Sequence, residues 1–151
     1  MEVGDNLTVH ASASDVWDLF WDFPRLGACL PGCESIEAID DRRFRAHMMQ
    51  KVGPFQVTMD LDMAVDEFVQ GRRVVVTGGG KDKRGNTLKL NRLALELEPR
   101  SDAETSVSYA MDFNLFGRLA TLGNAMVKRK AEEIRKEFST RITAELEGSG
   151  G

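Results

Sequence analysis

The sequence predicts an α+β domain in which a curved antiparallel sheet of six or seven strands wraps around one long C-terminal helix, with two short helices after the first strand. Three observations support this prediction. Apolar residues alternate with polar ones over most of residues 44–113, which is the period of strands. From Gly117 onward the apolar period becomes helical. Near the N terminus, Pro24 and Pro31 interrupt a short helical stretch.

A short strand and two short helices are expected first. Residues 7–9 alternate between apolar and polar types, and Ser12 or Ser14 can cap the helix that follows. The apolar residues of this helix are Val16, Trp17, Leu19 and Phe20. Because Pro24 comes too soon for the helix to continue, a second turn of helix is expected over residues 25–30.

The strands that follow are expected to pair as an antiparallel sheet. Alternation is visible in residues 44–48 and is cleaner in residues 55–65, and Gly53-Pro54 between them predicts a hairpin. Further strands are predicted at residues 74–77, 87–98 and 105–113. The leucines of the 87–98 segment change parity midway, which predicts a bulge near Asn91 and Arg92.

A single long helix is predicted from Gly117 to near the C terminus. Its lysines, arginines and glutamates fall on the opposite side from an apolar stripe, as in a helix with one solvated face. The stripe contains Leu119, Gly123, Val127, Ala131, Ile134, Phe138 and Ile142. Residues 1–147 are therefore assigned to one domain, and Gly148–Gly151 to a flexible Gly/Ser tail, either a linker remnant or an expression scar.

Composition excludes several function classes. The 151 residues carry a net charge of −4 and contain no basic tract, which argues against nucleic-acid binding. The N terminus lacks the apolar core of a secretion signal, and no apolar run is long enough to span a bilayer, so a cytoplasmic protein is expected. Cys29 and Cys33 are expected to be two thiols rather than a disulfide or half of a metal site.

The sheet and the terminal helix are expected to enclose a hydrophobic cavity. Small residues early in the helix and methionines at inward strand positions leave space that a ligand of irregular outline can fill. Ordinary core packing is the alternative for each methionine. The expected lining consists of Phe20, Leu30, Phe44, Met48, Met59, Leu61, Met63, Tyr109, Met111, Phe113, Leu119, Gly123, Met126 and Val127.

Several segments of the chain resemble a known family. They are Val16-Trp17, CLPGCESIE at 29–37, KVGPF at 51–55, GGGKDKRG at 78–85 and GRLATLG at 117–123. With the predicted element order, they resemble the helix-grip fold of the START-like (SRPBCC) superfamily and, within it, the CoxG subunit family of carbon monoxide dehydrogenase. The resemblance extends from about Val9 to Phe138.

This resemblance implies a non-catalytic accessory protein for molybdenum hydroxylases of the carbon monoxide dehydrogenase type. The ligand it implies is a respiratory quinone, menaquinone or ubiquinone, or a lipid, bound without a covalent link. Tyr109, Asn91 or Arg92 could donate hydrogen bonds to a quinone head, although a satisfied surface position is the alternative for each. Many relatives meet the membrane through a C-terminal extension, absent here, and the resemblance implies possible peripheral contact at the inner face of the cytoplasmic membrane through such an extension.

An enzyme of polyketide cyclase or dehydratase type is one alternative, since relatives with the same grip include such enzymes, and a docking protein with a filled core is the other. The sequence offers the enzyme little support. His47 shares strand parity with Arg43 and Arg45 and is expected to face water, as are Asp60 and Asp62. No third ligand accompanies the histidines, so no metal site is expected. The glycines at 78–80 lack the Gly-Lys-Ser/Thr ending of a phosphate loop and predict a strand bend or an edge bulge.

Overall fold

The computed structural model describes residues 1–148 and confirms the predicted α+β architecture. Seven antiparallel strands form one sheet in the order β1-β7-β6-β5-β4-β3-β2. The elements in chain order are β1 (Glu2–Val9), α1 (Ala13–Trp21), α2 (Phe23–Cys29), β2 (Cys33–Ala38), β3 (Arg43–Val52), β4 (Phe55–Val69), β5 (Arg73–Lys81), β6 (Thr87–Ser101), β7 (Glu104–Phe116), a 3-10 helix (Gly117–Leu122) and α3 (Asn124–Gly148).

The two short helices begin at side-chain caps. Of the two candidate serines, Ser12 caps α1, because its hydroxyl accepts a hydrogen bond of 3.1 Å from the Asp15 amide. Asp22 caps α2, and Pro24 lies in the first turn of that helix, where a missing amide proton costs nothing. The second helix therefore begins slightly earlier than residue 25, the start expected from the position of Pro24.

Two predicted features of the sheet are confirmed by its register. Val52 pairs with Phe55 around Gly53-Pro54, so this turn closes the β3–β4 hairpin. In β6 the pairing with β7 skips one residue between Leu90 and Arg92, which is the bulge expected from the change of leucine parity. The leucines before and after the bulge consequently face the same side of the sheet.

The prediction of one continuous helix from Gly117 is wrong. Residues 117–122 form a 3-10 helix, and α3 begins only at Asn124. Gly123 separates them with a φ of +83°, a conformation that an α-helix does not contain. The amide of Leu119 donates to the Asn86 side chain at 3.0 Å, which fixes the 3-10 segment against the β5–β6 loop.

Two clusters of buried apolar residues lie beneath the helices. The larger one joins α1 and the C-terminal half of α3 to the sheet and includes Leu19, Val107 and Ile142. The smaller one lies near the 3-10 helix and contains Val57, Met59 and Leu119. α3 approaches α2, β1 and β3 most closely, so it spans the sheet from one edge to the strand next to the other.

The predicted tail falls at the limit of the described residues. Gly148 is the last residue of α3, and residues 149–151 lie outside the described part of the chain. None of the helices within residues 1–148 is long and apolar enough to cross a membrane.

Candidate functional site

The candidate site is the face of the sheet that α3 covers, called here the inner face. On β3 and β4 the register opposes Phe44 to Met63 and Met48 to Met59, so these side chains point to the same side. The inner-face residues of β7 that were predicted as ligand contacts are Tyr109, Met111 and Phe113. All eight of the expected lining residues that lie on strands therefore share the inner face, with Leu61 as the eighth.

These inward side chains differ in how fully they are buried. Met59 and Phe113 each expose 6% of their surface and belong to the packed clusters. The other six, on β3, β4 and β7, remain partly accessible: Phe44, Met48, Leu61, Met63, Tyr109 and Met111. All six project toward the side of the sheet that α3 covers. The inner face therefore offers apolar surface that a ligand could cover.

The glycines at 78–80, expected to form a strand bend or an edge bulge, lie within β5, which is a central strand and not an edge of the sheet. The register shift between Val76 and Gly78 is a bulge beside them. Gly80 pairs with Leu61, and a Cβ on Gly80 would lie 2.9 Å from the Leu61 Cδ2 and closer still to the neighbouring backbone. Only glycine fits here, and Gly78 and Gly80 together leave a strip of inner face without side chains.

The remaining predicted residues are distributed around this face. Phe20 of α1 is 6% exposed and packs in the larger cluster with Val127 of α3, whereas Leu119 packs in the smaller cluster. Leu30 follows α2 and is partly buried. Met126 is 36% exposed near the β3–β4 turn, where a Cβ on Gly53 would lie 2.7 Å from the Met126 sulfur.

Gly123 does not lie where the sequence placed it. It is exposed, stands outside α3, and a Cβ on it would meet no atom within 4 Å. The helical spacing of apolar residues continues through Gly123, but its positive φ ends one helix before the next begins. Gly123 is therefore a hinge in the backbone and not part of the helix surface that faces the sheet.

One polar group interrupts the apolar inner face. Asp5 on β1 pairs in the sheet register with Tyr109 on β7, and its carboxylate accepts a 2.9 Å hydrogen bond from Arg135 of α3. Arg135 also binds Glu132 at 2.8 Å. Burial, with a contribution from the charge of Asp5, raises the pKa of Tyr109 to about 12. Tyr109 therefore stays protonated at neutral pH and can donate a hydrogen bond.

Asn91 and Arg92, the other polar candidates, do not join this group. The bulge turns Arg92 toward Asp112, and the Asn91 amide nitrogen donates to the Asp112 carboxylate at 3.5 Å. Asp112 faces the opposite side of β7 from its neighbours Met111 and Phe113. The bulge therefore places both residues away from the inner face, so Tyr109 is the one of the three candidates that points toward α3.

The outer face of the sheet carries the ion pairs expected to face water. Asp60 accepts a 2.5 Å hydrogen bond from His47, and this bond raises the pKa of the imidazole. Arg45 donates to Asp62 at 2.6 Å and lowers the pKa of that carboxyl. An open groove of about 670 Å³ runs beside these pairs over the glycines of β5. Its charged lining distinguishes it from the inner face.

A second groove, of about 500 Å³, was not anticipated from the sequence. Trp17, Trp21 and Phe68 meet edge to face in it, with ring centroids 5.5 to 5.8 Å apart. The spacing of the two tryptophans along α1 signals their proximity. The position of Phe68 depends on a register shift after Val65 that the alternation does not reveal.

The cysteines and the metal-binding residue types form no further site within residues 1–148. Cys29 is 2% exposed in the core, and Cys33 donates a weak hydrogen bond to the Ser35 carbonyl at 3.5 Å. Burial raises the pKa of both thiols, so neither is an activated nucleophile at neutral pH. In this described part of the chain no group of His, Cys, Asp and Glu side chains is arranged to hold a metal ion.

Comparison with known proteins gives one family match and many structural likenesses. The model of the CoxG subunit family of carbon monoxide dehydrogenase matches residues 6–147. A conserved protein from Geobacillus kaustophilus is 19% identical, with a TM-score of 0.88 over 99% of this chain and 97% of that one. No protein with a curated description matches this sequence.

Two further solved structures share the fold at lower similarity. A START superfamily protein from Mycobacterium smegmatis is 14% identical, with a TM-score of 0.76 and 97% of each chain covered. The Zhui aromatase/cyclase from Streptomyces sp. R1128 is also 14% identical, with a TM-score of 0.71 over 97% of this chain and 93% of that one. At these identities the likeness establishes a START-like fold.

Proposed function

Because the chain belongs to the CoxG family of carbon monoxide dehydrogenase subunits, we propose that it is a non-catalytic accessory protein that holds a hydrophobic molecule between its sheet and α3. The proposed ligand is an isoprenoid quinone, menaquinone or ubiquinone, or a lipid. The proposed recipient is a membrane-associated molybdenum hydroxylase of the carbon monoxide dehydrogenase type, at the inner face of the cytoplasmic membrane.

The observation that carries this proposal is the partly accessible apolar surface of the inner face. Six large inner-face side chains point toward α3 and stay partly accessible, even though Phe44, Leu61, Met63 and Met111 among them pack against the buried clusters. Burying about 400 Å² of apolar ligand surface there would contribute roughly 10 kcal/mol before association costs, which remove about half. Submillimolar affinity therefore needs no salt bridge to the ligand, and a longer isoprenoid tail would tighten binding.

The Tyr109 hydroxyl favours a quinone over a simple lipid as the ligand. Its hydroxyl makes no hydrogen bond to any described residue, and its pKa of about 12 keeps the proton in place. Its ring is fixed by an edge-on contact with Phe138 of α3. A quinone carbonyl placed here would accept a hydrogen bond from the phenol while the isoprenoid tail covers the neighbouring methionines.

The experiment is organic extraction, followed by mass spectrometry, of protein purified without detergent. We expect an isoprenoid quinone or a lipid in the extract of the wild type. Met63→Trp should reduce the amount recovered, because the larger ring occupies inner-face space. Thr58→Trp is the matched control, since Thr58 is exposed on the opposite face of the same strand and should leave the extract unchanged. A wild-type extract without any apolar ligand would contradict the proposal.

The partner enzyme needs a separate measurement. A purified molybdenum hydroxylase of the carbon monoxide dehydrogenase type should reduce vesicle-bound quinone faster when this protein is added. The Met63→Trp variant should give less acceleration than Thr58→Trp at equal concentration. Acceleration by both variants alike would show that inner-face binding is not what couples the protein to the enzyme.

The alternative function is that of a polyketide cyclase or dehydratase. The polar group formed by Asp5, Tyr109 and Arg135 is the feature of the structure that would favour it. General acid–base catalysis works best with groups that titrate near the operating pH. Tyr109 titrates near pH 12, and Asp5 is held in an ion pair with Arg135 at 2.9 Å. This arrangement suits a hydrogen-bond donor better than a proton shuttle. Turnover of a poly-β-ketone substrate by the purified protein would favour the enzyme instead.

A further inference from the structure

Charge is unevenly distributed over this molecule. Residues 50–56, 81–87 and 116–130 together contain eight lysines and arginines and one acidic residue, Asp82, which is a net charge of +7. The whole chain carries −4, so the remaining residues carry −11. We call these three segments the basic end.

The three segments of the basic end meet in space. The Leu119 amide donates to the Asn86 side chain at 3.0 Å, which joins the 3-10 helix to the β5–β6 loop. The β3–β4 turn at Gly53 packs against the sulfur of Met126 at the start of α3. Val52, Phe55, Leu119 and Leu122 share the smaller core cluster. The basic end is therefore a single surface supported by its own apolar packing.

Most of the positive charges in the basic end have no internal partner. Within residues 1–148, only Lys130 among them forms an ion pair, with Glu133 at 3.7 Å. The other seven are exposed and unpaired: Lys51, Lys81, Lys83, Arg84, Arg118, Lys128 and Arg129. Elsewhere in this described part, seven of the twelve lysines and arginines are paired with a carboxylate. The basic end thus presents seven cations without an ion pair within residues 1–148, of which Arg84 lies near Asp82 and Lys81 lies opposite Asp60 in the sheet register.

Large apolar side chains are exposed among these cations. Phe116 is 50% exposed and Met126 is 36% exposed, and the charged residues Arg118 and Lys128 stand within two positions of them. A surface that combines basic residues with exposed aromatic or thioether groups suits the interface of an anionic membrane, where the cations meet phosphates and the apolar groups enter the headgroup region. Binding to phosphates alone would leave the apolar groups without a role.

We propose that the basic end docks on an anionic phospholipid bilayer. The seven unpaired cations contact lipid phosphates, and Phe116 and Met126 insert among the headgroups. This inference goes beyond the proposed function, because it needs no bound ligand and no residue beyond α3. The last described residue lies at the other end of α3, roughly 36 Å away along the helix axis. A contact at the basic end is therefore distinct from one made through a C-terminal segment.

Sedimentation with lipid vesicles tests the proposal. We expect the protein to bind vesicles of equal parts phosphatidylglycerol and phosphatidylcholine, to bind phosphatidylcholine vesicles far less, and to lose binding as salt is raised. The variant Lys83→Glu/Arg84→Glu/Lys128→Glu should bind the anionic vesicles roughly a hundredfold more weakly, at about fivefold per lost cation before the added repulsion is counted. Phe116→Ser should also weaken binding, but the salt dependence of the remaining binding should be the same as in the wild type, because all the cations are kept.

The matched control reverses three charges away from the basic end. Arg72→Glu/Arg92→Glu/Lys136→Glu makes the same change in net charge at exposed positions that form no ion pair within residues 1–148, and it should retain most of the binding. Equal loss in both triple variants would overturn the proposal, as would equal binding to neutral vesicles or tighter binding to a short DNA duplex at the same salt. Circular dichroism checks that each variant folds. Ligand extraction from the same variants keeps this outcome separate from that of the proposed function.

Discussion

Tyr109 of β7 meets Phe138 of α3 edge to face, with 6.2 Å between the ring centroids and 89° between the ring planes. This contact links β7, the strand next to the β1 edge of the sheet, to the middle of the long helix, where Arg135 also holds Asp5. It therefore fixes a phenol donor at the place where the helix passes over the partly accessible apolar surface. The position of this phenol therefore bears on whether the inner face can distinguish a quinone from a lipid.

We expect Tyr109→Phe to separate quinone binding from lipid binding. The substitution keeps the ring and its contact with Phe138 but removes the hydroxyl donor. Loss of one hydrogen bond costs about 1 kcal/mol, so quinone affinity should fall about fivefold. Affinity for a long-chain alkane should stay the same, because an alkane has no hydrogen-bond acceptor for the phenol. Titration of the purified protein with each ligand measures both, and an equal loss for both would assign Tyr109 a purely structural role.

Met63→Lys should abolish ligand binding and destabilise the fold. On the inner face Met63 pairs with Phe44 on one side and Gly78 on the other. A lysine ammonium group at this position would therefore have no carboxylate directly opposite it. We expect a loss of about 2 kcal/mol in the free energy of unfolding, measured by urea denaturation. The control Thr58→Lys places the same group on the exposed face of the strand and should change stability by less than about 0.5 kcal/mol. A stable, ligand-binding Met63→Lys protein would show that Met63 does not line the site.

Alternation and helical period were sufficient to predict the order of the elements and the face of each central strand. In β4, for example, every second residue from Val57 to Val65 points inward, because one side of the strand is buried and the other is wet. The family resemblance also predicted the named fold. The match of the CoxG family model over residues 6–147 confirms the resemblance. The same alternation explains why all eight predicted ligand-contact residues on strands lie on the inner face.

The features that the sequence could not predict arise where the strand or helix periodicity is interrupted, or where distant segments meet. Gly123 fits the helical stripe by spacing, yet its φ of +83° ends that stripe. Phe68 reaches the aromatic groove because the strand gains a residue after Val65, which inverts the alternation. The basic end is assembled from three segments far apart in sequence, so no local charge run reveals it. Each feature depends on backbone geometry or on distant contacts that a single strand or helix pattern does not contain.

Gly123→Leu tests the backbone break between the 3-10 helix and α3. The combination of φ +83° and ψ 156° is a conformation that residues with a Cβ rarely adopt, and forcing it costs about 1–3 kcal/mol. We expect a lower melting temperature with ligand uptake unchanged, since Gly123 is exposed and away from the inner face. Ala125→Leu is the control, because it adds the same side chain at an exposed position with helical geometry. An unaltered melting temperature for Gly123→Leu would contradict the assigned conformation.

His47 should make stability depend on pH without affecting the inner face. Its hydrogen bond to Asp60 raises the pKa of the imidazole above the ordinary value of 6.5, with a smaller contribution from Glu34. A raised pKa means that the folded protein binds the proton more tightly, so the stabilisation is complete below pH 6.5 and is lost as the pH rises through the folded pKa. The wild type should therefore lose stability relative to His47→Gln over this range, as measured by urea denaturation. Asp60→Asn should return the imidazole pKa toward 6.5 in an NMR titration, and an unchanged pKa there would show that the pair does not form. Because His47 faces away from α3, ligand uptake should stay constant over the same pH range.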